Sequence, residues 1–367
     1  MYLYVFLSAL YRLSCGALIL AINWLMLVEN NTPFYLAVLV ALTFVPAILV
    51  PLFYKNKKQL SGLKLTSYAL LASFFVSFLL FFAHNHIVIL CLNTTLWFFF
   101  FIMESSWEMW FVALAKKYSQ QKILQFSSFS MSVNQISLML GPVVAAFIFK
   151  HNPKEVILMS SLIFLFLFFS TFFLSHKEEI ANEELKEELK RDTKIQLTGL
   201  ECALIFIWPT LALFNFMLPV QVAYHKGDMI EVGILDAAMG LGMIFSSILL
   251  AKKMFYQLFI QYKMSVVFLI VAIVFWSFLE NFIFKIVSVF ILGLCFNISR
   301  IFIRSVLAQK YEAYIVGTLV SKANSYSFFL IVISLLIFYD KVSINYIIPF
   351  AFAILISLLL PLKTKNG

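Results

Sequence analysis

The chain is predicted to be an all-α polytopic membrane protein, with twelve transmembrane helices in two six-helix, pseudo-symmetric bundles. Three observations predict it. Hydrophobic residues make up 63% of the 367 positions and charged residues 12%, where soluble domains carry about a quarter charged residues. Apolar runs recur at 2–28, 34–53, 65–83, 87–114, 126–149, 156–174, 200–224, 231–251, 262–279, 282–307, 315–338 and 345–361. Leu114-Ala115-Lys116-Lys117-Tyr118 returns 193 residues later as Leu307-Ala308-Gln309-Lys310-Tyr311, between the fourth and fifth runs of each half. A repeat at half the chain length is what a duplicated bundle leaves in sequence.

Each run is near or above the roughly 17–25 residues that cross a bilayer as a helix. Lipid offers the backbone no hydrogen-bond partner, so the choice lies between helix and closed barrel. Barrel strands are about 10 residues of alternating polarity, and no run alternates in that way. The first run lacks a basic leader and a small-residue cleavage site, so it is expected to be a retained span rather than a signal peptide.

Loop charge orients the bundle. With the N-terminus inside, the inner loops and tail hold 21 of the 27 Lys and Arg, among them Lys55, Lys57, Lys58, Lys116, Lys117, Lys252, Lys253, Lys363 and Lys365. The outer loops hold Lys150, Lys154, Lys226, Lys285 and Lys341, and the one that remains, Arg12, lies inside a span. This asymmetry predicts both termini in the cytoplasm and an even helix count; the expected location is a bacterial inner (plasma) membrane. The net charge of +9 is thereby absorbed as topology, and no basic run interleaved with aromatics points to nucleic acid. The domains expected are 1–174, an N-terminal bundle; 175–199, a charged cytoplasmic linker with Glu187 and Arg191 at helical i,i+4 spacing; and 200–367, a C-terminal bundle. Cys15, Cys91, Cys202 and Cys295 are scattered through four spans without metal-ligand spacing. No metal and no cofactor are expected.

Several stretches resemble the major facilitator superfamily, nearest to its enterobactin-exporter and macrolide-efflux group. Trp110 to Ala146 is similar to that group's helix 4–5 region, with a short basic loop and a polar-faced helix ending in Gly141-Pro142. Gly233 to Ser246 resembles its Gly-patterned eighth helix, Arg304 to Tyr326 the approach to helix 11, and Val45-Pro46 to Pro51 the end of helix 2. The loop after helix 2 keeps a basic cluster, Lys55 to Lys58, but lacks the Gly and Asp usual there. The Gly-Pro pair also lacks the flanking glycines of the family's antiporter motif, since Val143, Val144, Ala145 and Ala146 follow it. The resemblance implies a monomeric secondary transporter, not an enzyme, working by alternating access. Its implied activity is proton-coupled export of an amphipathic, siderophore- or drug-like small molecule, with import of a siderophore or metabolite as the alternative. A lipid-modifying membrane enzyme is the rival class, but no His, Asp or Ser cluster near one interface supports it. Filter motifs and rings of like charge, which a channel needs, are missing too.

Ionised groups inside spans carry the sharper expectations, because each costs several kcal/mol unless paired or hydrated. At about 1.5 Å per residue, Arg12 and Glu104 both fall roughly 5 Å to the cytoplasmic side of centre, which predicts a buried pair. Arg12 and Glu104 are both candidates for the solute cavity, and Glu104 for proton coupling as well. Asp236 falls roughly 7–8 Å into the outer half with no basic residue at its depth, and is the first candidate for proton coupling. In the resembled fold helices 4 and 10 face the same cavity, so Glu108, Arg300 and Arg304 are the candidates for a cytoplasmic gate, with arginines that snorkel to the interface as the alternative. Asn23, Asn93, Asn134, Gln135, Asn215, Gln221 and Asn297 are the proposed polar lining, with Trp24, Trp97 and Trp208 as solute-contacting aromatics. Asn297 lies 193 residues beyond Glu104, so the repeat sets an amide where the first half has an acid.

Overall fold

A computed structural model describes residues 1–30, 42–55, 61–116, 118–148, 153–182, 199–226, 229–250, 258–259, 262–278, 281–338 and 341–360. Among these residues every regular element is a helix. The first half comprises α1 (Tyr2–Asn30), a 3-10 turn (Val45–Ile48), α2 (Val50–Lys55), α3 (Gly62–Phe82), α4 (His86–Ala115), α5 (Gln120–Ile148) and α6 (Pro153–Asn182). The second comprises α7 (Gly199–Ile205), α8 (Ile207–Tyr224), α9 (Met229–Leu250), α10 (Met264–Phe278), α11 (Phe282–Lys310), α12 (Ala313–Phe338), α13 (Val342–Asn345) and α14 (Ile347–Leu359). Most of the expected charged linker, 183–198, lies outside the described residues, as does much of the second apolar run.

Local chemistry sets the ends and breaks. Asn85 caps α4 by accepting from the Ile87 amide at 2.8 Å, and Asn281 caps α11 the same way from Ile283 at 2.9 Å. Pro209 has no N–H for the Ile205 carbonyl four residues back, so α7 stops there and α8 begins at Ile207. The freed Ile205 carbonyl accepts the Ser327 hydroxyl of α12 at 2.7 Å. Pro349 divides α13 from α14 by the same means.

Among the described residues, eight helices are long and apolar enough to cross a membrane by length and composition, and three shorter apolar ones lie at Leu42–Phe53, Met264–Ser277 and Ser343–Leu359. α5 is as long as α1 but falls outside that group because serines and amides dilute it. Side-chain placement inverts that of a soluble protein. Phe75, Phe78, Leu79 and Phe82 of α3 and Phe166, Phe169 and Phe173 of α6 are exposed, while serines fill the contact between those helices. Ser67 donates to Thr171 at 2.9 Å, and Ser161 donates to Ser77 at 2.9 Å. Small hydroxylated residues between helices and phenylalanine outside suit hydrocarbon surroundings.

The chain groups into two compact units that do not follow chain order. One contains Met1–Lys117, Ser137–Leu197 and Tyr311–Ser325; the other contains Tyr118–Ile136, Thr198–Lys310 and Tyr326–Gly367. Helix pairing in the first unit repeats in the second. α1 packs on α6, and α3 on α4 and α6; correspondingly, α8 packs on α14, and α10 on α11 and α14. Shifted by 193 positions, the start of α5 at Gln120 falls on Ala313, the start of α12. The repeat seen in one pentapeptide therefore extends to helix order and pairing.

Candidate functional site

Within the first unit, α1 and α4 are joined by a slab of aromatic rings. Tyr11 stacks on Trp107 at 5.9 Å between centroids, while Tyr4 meets Trp107 and Trp110 edge-on at 5.5 and 5.0 Å. The Tyr4 hydroxyl donates to the Trp107 carbonyl at 3.3 Å. This slab fixes the rotation of both helices, and that rotation brings Arg12 to Glu104. Arg12 Nη2 lies 2.5 Å from Glu104 Oε1, with side chains 23% and 17% exposed, and the guanidinium sits 5.5 Å from the Tyr11 ring centre. The expected pair is therefore formed, and each member keeps a water-accessible edge. A Cβ on Gly141 would collide with the Leu13 carbonyl and the Ala17 amide, so α5 crosses α1 backbone to backbone beside Arg12. Trp97, Glu104 and Glu108 form one half-buried stripe at helical spacing down α4.

Asp236, in the second unit, is exposed, and the face it occupies gives that exposure meaning. Ile234, Leu241, Phe245 and Ile248 are 42%, 57%, 50% and 58% exposed along the whole of α9, as a lipid-facing stripe would be. Asp236 lies away from that stripe, on the face continued by Gly240, Met243 and Ser247, which are buried. A Cβ on Gly233, one turn toward the start of the helix, would meet nothing within 4 Å. The face is open near Gly233 and Asp236 and closed further along the helix. Asp236→Asn is expected to abolish solute accumulation driven by a pH gradient in vesicles while leaving gradient-free counterflow near the unmodified level.

The remaining expected residues fall in different surroundings. Arg300 is half-buried with its guanidinium 5.4 Å from the Phe296 ring centre, and Arg304 is buried and donates to Ser130 Oγ of α5 at 2.8 Å. Asn297 is buried and donates to the Met243 carbonyl at 2.7 Å and to Ser246 Oγ at 2.8 Å, tying α11 to α9. Gln221 is buried and donates to Asn345 at 2.5 Å. Asn93 is buried with its amide nitrogen unpartnered. Asn134 and Gln135 are half-buried on α5, and Asn215 is exposed on α8. Trp97 and Trp208 are half-buried, whereas the side chains of Asn23 and Trp24 lie outside the described residues. Among the described residues no three His, Cys, Asp or Glu come together as metal ligands. His84 sits 3.0 Å from Lys154 Nζ, with Nδ1 facing the ammonium.

Two polar contacts escaped the sequence reading. Ser128 donates to the Ser247 carbonyl at 3.0 Å and Ser132 to the Ser247 hydroxyl, which together with Ser130 and Arg304 gives α5 a hydroxyl seam against α9 and α11. Glu201, 1% exposed, meets Lys310 at 2.8 Å. The crowding of Ser127, Ser128, Ser130 and Ser132 into two turns was the available signal for the first. Lys310 stands in the repeated pentapeptide, the signal for the second.

No protein-family model and no curated protein matches the chain. Solved structures do. A bacterial homologue of the iron transporter ferroportin, in its outward-facing state, aligns over 97% of both chains with a TM-score of 0.74 at 15% identity. The same homologue soaked with iron gives 0.74 at 14% identity, again over 97% of both chains. The human organic anion transporter MFSD10 gives 0.74 at 11% identity over 98% of both. These neighbours are membrane transporters of the major facilitator fold, and at such identities the likeness establishes that fold for this chain.

Proposed function

We propose that the chain is a secondary transporter working by alternating access, which moves an amphipathic, siderophore- or drug-like molecule outward in exchange for protons. The observation that carries this reading is the Arg12–Glu104 pair: two opposite charges held at 2.5 Å inside a helical unit, each partly open to solvent. A bundle that only had to pack would do better with apolar residues at both positions, because desolvating two ions costs more than their attraction returns. The repeat supports the same point, since Asn297 ties α11 to its neighbour without any charge. The fold of the neighbouring transporters agrees with it.

On this reading twelve spans form two six-helix halves, joined by 175–199, with both termini cytoplasmic and the chain acting as a monomer in a bacterial inner membrane. The nearest functional likeness is the enterobactin-exporter and macrolide-efflux group. Asp236 takes up and releases the coupling proton on the outer side. Asn23, Asn134, Gln135 and Asn215 contribute to the solute path, while Glu108 closes against Arg300 and Arg304 on the cytoplasmic side when the protein faces outward. Single charge reversals, Glu108→Arg or Arg300→Glu, are expected to cut transport more than tenfold, and the double reversal to recover it; a double variant as inactive as the singles removes the gate.

The deciding experiment is solute accumulation in proteoliposomes with a pH gradient imposed in either direction. Candidate probes are catecholate siderophores and macrolides. Accumulation that requires an acidic exterior relative to the cytoplasmic face, with movement outward, supports exchange. Movement in the same direction as the proton assigns import instead, and no gradient-dependent flux of any probe sinks the transporter reading.

A further inference from the structure

The transport reading leaves the chemistry of the solute open, and the surroundings of Arg12 narrow it. Arg12 Nη2 meets Glu104 Oε1, and both side chains keep a partly exposed edge. A carboxylate that filled the guanidinium fork would take two parallel bonds. Arg12 has no further hydrogen-bond partner among the described residues, so its other N–H groups remain to be claimed by something else.

On the same helix, Trp107 Nε1 and Trp110 Nε1, one and two turns from Glu104, are buried without a hydrogen-bond partner. Unsatisfied buried donors are rare enough in proteins that each calls for an explanation. Trp97, two turns to the other side of Glu104 on the same half-buried stripe, offers an aromatic face.

The other half supplies an internal control. Shifted by 193 positions, Glu104 becomes Asn297 and Arg12 becomes Ile205. Asn297 spends its amide on the Met243 carbonyl and Ser246 hydroxyl and is buried. The corresponding helix in that half is thus held by a neutral amide with its donors satisfied. At these two corresponding positions, the charge and the open edge occur in the first half and not in the second.

We propose that Arg12 is the anchor for an anionic oxygen of the solute, a carboxylate or phenolate borne on an aromatic or otherwise apolar body, and that Glu104 is a placeholder displaced when the solute binds. The inference rests on the transport reading for the word solute, but the anion site itself stands on the geometry of α1 and α4. Glu104 keeps Arg12 neutralised while the site is empty. An incoming carboxylate that takes two charge-assisted bonds from the fork competes with Glu104 for Arg12. A cation is repelled by Arg12, and a neutral amide offers the fork only an uncharged carbonyl oxygen.

The test uses the full-length protein in detergent with three isosteric probes: benzoate, benzamide and benzylammonium. Benzoate is expected to raise the unfolding midpoint saturably, and the other two to leave it unchanged. Glu104→Gln removes the competitor and is expected to tighten benzoate binding at least threefold. Arg12→Gln combined with Glu104→Gln leaves no charge stranded, so the variant should fold, and benzoate binding should vanish. Stabilisation by benzylammonium in place of benzoate overturns the proposal, as does benzoate binding to the double variant with unchanged affinity. Unchanged benzoate affinity in Glu104→Gln overturns the placeholder role. The two readings fail separately. Benzoate binding without gradient-driven flux of any probe keeps the anion site and ends the transport reading; flux with no benzoate binding does the reverse.

Discussion

Glu104→Ala is expected to lower the unfolding free energy by about 3–5 kcal/mol, the usual cost of stranding one member of a buried pair, and to abolish transport. Arg12 keeps its charge under all conditions, so it cannot escape by losing its proton. The side chains are only 23% and 17% exposed, too enclosed for water to replace the lost carboxylate fully. Arg12→Met combined with Glu104→Leu leaves no charge behind, and its stability should return to within about 1–2 kcal/mol of the original, since apolar replacements of whole pairs are often neutral or better. Transport by that double variant should stay absent. Thermal unfolding in detergent checks the first half of this prediction, and vesicle uptake checks the second. A double variant that is both stable and active would make the pair a packing device.

That same pair shows how much of the site was legible. Depth along each span is encoded, because residue number times helix rise gives it, and matching depths on antiparallel helices predicted the contact. Rotation about the helix axis is much less well encoded. In a soluble helix the polar face marks the outside, but here the outside is hydrocarbon and as apolar as the core. The exposed face of α3 is phenylalanine and leucine, and so is much of its sequence. Serine and threonine give little help. Ser170 and Thr95 lie on exposed faces and return their hydroxyls to their own helix, at Phe166 and Cys91. Ser161, on the same helix as Ser170, donates both to its own helix and across to Ser77. A hydroxyl that can satisfy itself four residues back is compatible with either face. Hence Asn297 and Gln221, read as solute lining, turn out to be bonded to other helices, and the hydroxyl seam of α5 went unread. The face of α9 that Asp236 occupies, opposite the exposed apolar stripe, is likewise not written in residue spacing alone.

Gly242 and Gly293 are where substitution is expected to do most harm after the ion pair. A Cβ on Gly242 would land on the Phe290 carbonyl and crowd the Leu294 amide, while one on Gly293 would land on the Met239 carbonyl. Each glycine thus receives backbone from the other helix, and neither obstacle is a flexible side chain able to swing away. The contact is interlocked. Asn297 bonds to Met243 and Ser246 along the same seam, and α9 and α11 form the most extensive helix pair in the second unit. Sliding would break both hydrogen bonds and drive each glycine's neighbour over a side chain, so α9 and α11 move as one body. Asp236 and the two arginines Arg300 and Arg304 therefore travel together, whatever the cycle does. Gly242→Val and Gly293→Val are each expected to cost about 1–3 kcal/mol through overpacking, and the pair together to prevent accumulation of folded protein. Gly233→Ala on the same helix meets open space and should be neutral or raise stability by up to about 1 kcal/mol, as alanine favours helix over glycine. Unfolding midpoints for the three single variants in one detergent decide it: if Gly242→Val and Gly233→Ala melt together, the two helices are not interlocked and α9 is free to slide.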